Sequence, residues 1–239
     1  MFYVMTPDQI AGATSAIVEL QHYVEALAQR RTEDPGPDLI TGLLTAEAGG
    51  EMLTRDETVA MIANLLVAGH DTMGSQIPCS LLMTLQYRDR LTEVAHDDTR
   101  LASAAAETMR LEPSIPLIPR TAVAPIDLHD TTISAGEMVL LCIASACRDA
   151  SAWRSPNCFD PERFTRAGTP RLMNFGAGAH YCLGTSLAKV VVEECVRAAL
   201  AARPALHLGQ DPARIPWRRM LGRYACSSAS TRARALPAP

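Results

Sequence analysis

The chain has 239 residues, of which 48% are apolar and 20% charged, and it carries a formal net charge of -4. That length and balance fit one large or two small folded domains with a buried core. The acidic excess argues against nucleic acid as the main partner, because a phosphate-binding surface draws on a cationic excess.

From Arg203 to the end, seven arginines face the single acid Asp211, a set that reads as solvated loop charges. The longest strongly apolar run, Val59 to Gly69, holds Asn64 and falls short of the roughly 20 residues that a bilayer needs, so no membrane association is expected. Met1 to Gln9 has no cationic stretch followed by an apolar core; no secretory signal is read there, and a cytoplasmic location is expected. The seven cysteines fall at irregular spacing without a Cys-x-x-Cys pair, which predicts thiols rather than zinc ligands or disulfides.

Ile17, Leu20, Val24 and Leu27 recur at helical spacing and predict a helix over about 13–31, ahead of the breaker Glu33-Asp34-Pro35-Gly36-Pro37. A short helix over 38–46 follows, before Gly49-Gly50. Thr54 with Glu57 three residues on makes a capping box. It opens a long apolar helix over about 54–86, which holds Gly69, Gly74 and Pro78. Pro78 lacks a backbone donor and is expected to bend it.

A further helix is predicted over about 101–111, ended by Pro113, and small hairpins over 126–143. The last helix runs from about Gly184 to Ala202, stopped by Pro204. Between Arg148 and Asn174 lies a long irregular stretch, of a length that compact domains usually keep for function. The pattern as a whole is mainly α with a small β region.

Asn174-Phe175-Gly176-Ala177-Gly178-Ala179-His180-Tyr181-Cys182-Leu183-Gly184 is a glycine-punctuated loop that delivers a cysteine to the start of a helix. Backbone amides and the positive end of the helix dipole favour a thiolate there, so Cys182 can ligate a soft or borderline metal. Gly176 and Gly178 permit positive φ, and Gly184 lets the backbone approach a flat ligand. A loop that ends in a buried structural thiol fits the same residues.

Phe175-x-x-Gly178-x-x-x-Cys182-x-Gly184 resembles the haem-binding signature of the cytochromes P450, most closely the bacterial soluble form. The resemblance implies haem b as cofactor, with Cys182 as the axial iron ligand whose electron donation favours O–O cleavage. By the same resemblance His180 donates to a haem propionate, Phe175 shields the thiolate, and Gly176 and Gly184 complete the cofactor-binding loop.

Further elements of that family stand upstream in order. Glu107-Thr108-Met109-Arg110 resembles its Glu-x-x-Arg element, two residues on one helical face. Taken alone it reads as a surface ion pair. Arg163, in Phe159-Asp160-Pro161-Glu162-Arg163-Phe164, matches the third member of a network that holds the cysteine loop. Ala68-Gly69-His70-Asp71-Thr72 resembles the oxygen-activation segment: Gly69 opens room over the iron, while Asp71 and Thr72 relay protons to bound dioxygen. Without the family, the same triplet is an exposed polar stripe. Arg120 sits where the family places a cation that pairs with a propionate, a task suited to a guanidinium fork.

The resemblance implies a haem-thiolate monooxygenase that oxidises a small apolar molecule with dioxygen, taking electrons from a ferredoxin or flavoprotein. Ile115 to Ile118 and Met220-Leu221-Gly222 correspond to substrate-lining segments, although ordinary core fits their apolar character equally; Arg171 and Lys189, cations near the cysteine face, are expected contacts for an acidic donor. Family members extend further at the N-terminus. Residues 1–239 therefore read as a single partial domain, the C-terminal portion of the cytochrome P450 fold. The alternative is a catalytically silent truncated homologue, an interaction partner or gene remnant. Cys147 precedes Arg148-Asp149 where the bacterial proteins usually carry asparagine, and Lys189 replaces a usual arginine.

Overall fold

The structure, a computed structural model, describes residues 6–48 and 50–202. Pro204, the Met220-Leu221-Gly222 turn and the terminal arginines lie outside the described residues. Contacts divide the chain between Asp71 and Thr72 into two compact units.

In the first unit, α1 (Pro7–Glu33) begins earlier than the apolar spacing predicts. Its start is set by polar residues: the Gln9 amide N–H donates to Thr6 Oγ1 at 3.3 Å, and the Thr6 N–H donates to Gln9 Oε1 at 2.9 Å. Pro7 fills the first turn, where no intrahelical donor is needed. A short helix, α2 (Leu39–Thr45), and a two-residue antiparallel pair, β1 (Glu47–Ala48) and β2 (Glu51–Met52), follow. Thr54 and Glu57 form the expected capping box and open α3 (Arg55–Gln86). Val24, Ala28 and Ile62 make the core, with Leu20, Ile40 and Leu43 packed against them.

Asp38 caps α2, accepting from the Thr41 N–H at 2.9 Å, and pairs with Arg31. The Thr41 backbone bond first, and Arg31 second, hold its carboxyl below the usual carboxylate range. A depressed folded-state pKa contributes stability that is present above the unfolded value and lost as pH falls through the folded one. Thermal melts of wild type and Asp38→Asn are therefore expected to differ at neutral pH and to converge as pH falls below the carboxylate range.

In the second unit α3 runs on from Thr72 through Pro78 to Gln86 without a break. α4 (Arg88–Val94), absent from the sequence reading, buries Leu91 and Val94. Two apolar positions in so short a helix give little periodicity to detect. α5 (Asp98–Leu111) starts ahead of the predicted 101 because Asp97 caps it, accepting from the Arg100 N–H at 3.0 Å. Every residue of α5 from Ser103 to Leu111 is buried.

Pro113 ends α5 as expected and also removes the N–H that would bond Met109 O. Side chains take over the last carbonyls: Asn174 Nδ2 donates to Met109 O at 2.6 Å, Arg148 Nη2 to Leu111 O at 2.7 Å, and Gln76 Nε2 to Glu112 O at 3.0 Å.

β3 (Leu117–Thr121) was not foreseen as a strand; it pairs antiparallel with β6 (Met138–Cys142), Arg120 opposite Val139. Pro119 fits because a two-stranded ribbon has only edge strands. Between them β4 (Ile126–Leu128) and β5 (Thr131–Ile133) form the expected hairpin. A single turn, α6 (Ile143–Ala146), leads into the irregular stretch, which holds one 3-10 turn at Arg163–Thr165 before reaching Met173. The closing helix is α7 (Thr185–Ala202). Leu101, Ala104, Ala105 and Met109 of α5 form the core with Leu91, Phe159, Val192 and Val196. No described helix is long and apolar enough to cross a membrane.

Candidate metal centre at the cysteine loop

One carboxylate and two guanidinium groups organise the second unit. Glu107, Arg110 and Arg163 are 0%, 0% and 5% exposed. Arg110 donates through Nε to Glu107 Oε2 at 2.6 Å and through Nη2 to Oε1 at 2.8 Å, a bidentate fork. Arg163 Nε lies 3.0 Å from both carboxylate oxygens, and the Asp160 N–H donates to Oε1 at 3.0 Å.

Two cations on one anion leave a surplus positive charge, which backbone carbonyls offset. Arg110 Nη1 donates to Cys147 O at 2.6 Å and to Pro156 O at 2.7 Å. Arg163 Nη1 donates to Arg154 O at 2.6 Å and Nη2 to Cys158 O at 3.1 Å. Three of those carbonyls belong to the irregular stretch and the fourth, Cys147 O, stands just before it, so buried charge replaces secondary structure there as the source of order. Trp153 closes the network, its ring 5.2 Å from the Arg110 guanidinium.

The cysteine loop follows directly. Two 3-10 turns, Met173–Phe175 and Gly178–His180, shape it, and Gly176 and Gly178 adopt φ of 71° and 74°, as expected of residues without a Cβ. The Cys182 N–H donates to Phe175 O at 3.0 Å, closing the loop, and Thr185 Oγ1 donates to Cys182 O at 2.8 Å at the start of α7. Phe175 packs partly buried against the core. His180, Cys182, Leu183 and Gly184 are exposed.

Cys182 is therefore not a buried structural thiol. Gly184 adjoins the sulfur: a Cβ placed on it would stand 3.9 Å from Cys182 Sγ, an ordinary contact distance. Among the described residues no group of three or more His, Cys, Asp or Glu could hold a metal ion. An exposed thiol with open surroundings and Leu183, 85% exposed, beside it offers one soft sulfur ligand and an apolar surface, a set that fits a flat apolar macrocycle with a metal at its centre.

The other predicted residues stand elsewhere. Arg120 is exposed on β3, its Nη1 donating to Pro119 O at 2.8 Å. Gly69 and Asp71 are exposed on the part of α3 in the first unit, and nothing lies within 4 Å of a Cβ added at Gly69. Thr72, half-buried, follows on the same helix in the second unit. Arg171 lies over the Tyr181 ring at 5.3 Å, and Lys189 Nζ over the Phe175 ring at 5.9 Å. The sequence reading missed Gln76 and Asn174 as structural ties. Asn174 is the first residue of the glycine-punctuated loop, but no periodicity identifies a side chain that reaches back to α5.

The cytochrome P450 family model matches residues 13–200. A putative cytochrome P450 133B2 of Xylella fastidiosa (strain 9a5c) is 33% identical over 204 residues, covering 85% of this chain and 50% of that protein. The cytochrome P450 monooxygenase PikC of Streptomyces venezuelae is 35% identical over 213 residues, covering 88% of this chain and 50% of its own length. Among solved structures, P450BioI in complex with hexadec-9Z-enoic acid ligated acyl carrier protein aligns with a TM-score of 0.79 at 29% identity, covering 92% of this chain and 55% of that one. The chain belongs to the cytochrome P450 family, whose members bind haem b. It spans about half the length of the curated relatives it matches.

Proposed function

We propose that this chain forms the thiolate side of a haem monooxygenase that oxidises a small apolar molecule. The observation that carries the reading is Cys182, an exposed thiol at the head of α7, in a loop closed by its own amide and set beside a buried ion network. Bound haem would supply dioxygen binding and activation. Cys182 would ligate its iron; His180 and Arg120 would offer N–H donors to the propionates; Phe175 would cover the sulfur; Gly176 and Gly184 would keep side chains out of the way.

Gly69 leaves room beside the polar segment of α3, where the Asp71 carboxyl and Thr72 hydroxyl hold and pass protons. Arg171 and Lys189, neither with a carboxylate partner among the described residues, suit an acidic ferredoxin or flavoprotein as electron donor. The cytoplasm is the compartment proposed, in keeping with the six cysteines among the described residues being free thiols.

The test reconstitutes the purified chain with haem, supplies a ferredoxin, its reductase and NADPH, and incubates a panel of apolar probes under labelled dioxygen. One labelled oxygen atom per product molecule is expected. Bound haem with no labelled product from any probe would instead favour a catalytically silent homologue. In the same assay Asp71→Asn is expected to slow product formation by about 10²-fold, the lower end for loss of a proton-transfer group, while peroxide release rises.

A further inference from the structure

Asn174 enters the cysteine loop one residue before Phe175, and both ends of its amide are engaged. Nδ2 donates to Met109 O at 2.6 Å, the carbonyl that Pro113 leaves without a helical donor. Oδ1 accepts from Cys147 Sγ at 3.1 Å. A flipped amide would set oxygen against oxygen at Met109, so the donor and acceptor pattern admits one orientation.

Cys147 is itself fixed. It is fully buried, its N–H donates to Ile143 O at 2.9 Å, and its carbonyl accepts from Arg110 Nη1 at 2.6 Å. Burial pushes its thiol pKa up, so at neutral pH it is a protonated donor. The next bond toward the sulfur is the one from the Cys182 N–H to Phe175 O, at 3.0 Å. A continuous path of short contacts therefore leads from the buried ion network through Cys147 and Asn174 to the backbone of Cys182.

We infer that Asn174 and Cys147 are positioning residues for Cys182, a thiol–amide brace that fixes the loop carrying the sulfur. The consequence for metal ligation rests on the proposed role of Cys182; the brace itself does not. Amide hydrogen exchange on the full chain without haem tests it directly.

In Asn174→Ala and Cys147→Ala, the Cys182 and Gly176 amides are expected to exchange about tenfold faster or more, as loss of a buried hydrogen bond implies. The amides of α5 and α7 are expected to keep their rates, and Cys147→Ser, which retains a donor, to restore protection at Cys182. Unchanged exchange at Cys182 in both alanine variants would overturn the brace. So would an equal loss of protection throughout α5 and α7, the mark of a merely structural role. After haem loading, the alanine variants are expected to lose part of the thiolate-type ferrous–carbon monoxide absorbance that wild type and Cys147→Ser share. If wild type takes up no haem, the ligand reading fails, and the exchange rates still decide the brace.

Discussion

Glu107→Ala is expected to cost about 3–5 kcal/mol of stability, because it leaves two buried guanidinium groups without their anion. Arg110 is 0% and Arg163 5% exposed, so neither cation can recover its hydration without opening the unit. Against a total of about 5–15 kcal/mol for a folded domain, the loss should show as a large drop in the urea midpoint or as insoluble expression. Glu193→Ala is the control: it breaks a partly exposed pair with Arg197 on α7 and should cost at most about 1 kcal/mol. Equal effects of the two would mean that the network is not what orders the irregular stretch.

Cys182→Ala is expected to abolish thiolate-type absorbance in the ferrous–carbon monoxide spectrum while leaving the melting curve near that of wild type. The second half of that expectation follows from exposure, since a surface substitution away from buried features changes stability by no more than about 0.5 kcal/mol. A structural thiol would give the reverse, a stability loss without a spectral one. Cys142→Ala, which removes another exposed cysteine, on β6, should alter neither.

Elements that announce themselves through periodic apolar residues or a capping box were legible in the sequence: α3, the body of α5 and the Ile126–Ile133 hairpin fell where predicted. Starts set by polar caps were missed at α1, where Thr6 and Gln9 lie ahead of the first apolar repeat, and at α5, where Asp97 does. The β3–β6 pair was missed because its partners are distant in sequence and Pro119 argues against a strand. Of the candidate site, the family motifs carried Cys182 and the ion network, and the structure gathers Phe175, Gly176, His180, Cys182 and Gly184 in one loop. What no motif could carry is how the loop is held: an unpaired carbonyl at Met109, created by a proline four residues on, is met by a side chain that stands 65 residues away.

The sulfur proposed to ligate the iron is that of Cys182. X-ray absorption at the iron edge of the haem-loaded chain tests that ligation most directly. A sulfur scatterer in the iron's first coordination sphere, lost in Cys182→Ala, is the predicted result; a first sphere of nitrogen and oxygen alone in the wild-type chain would contradict it.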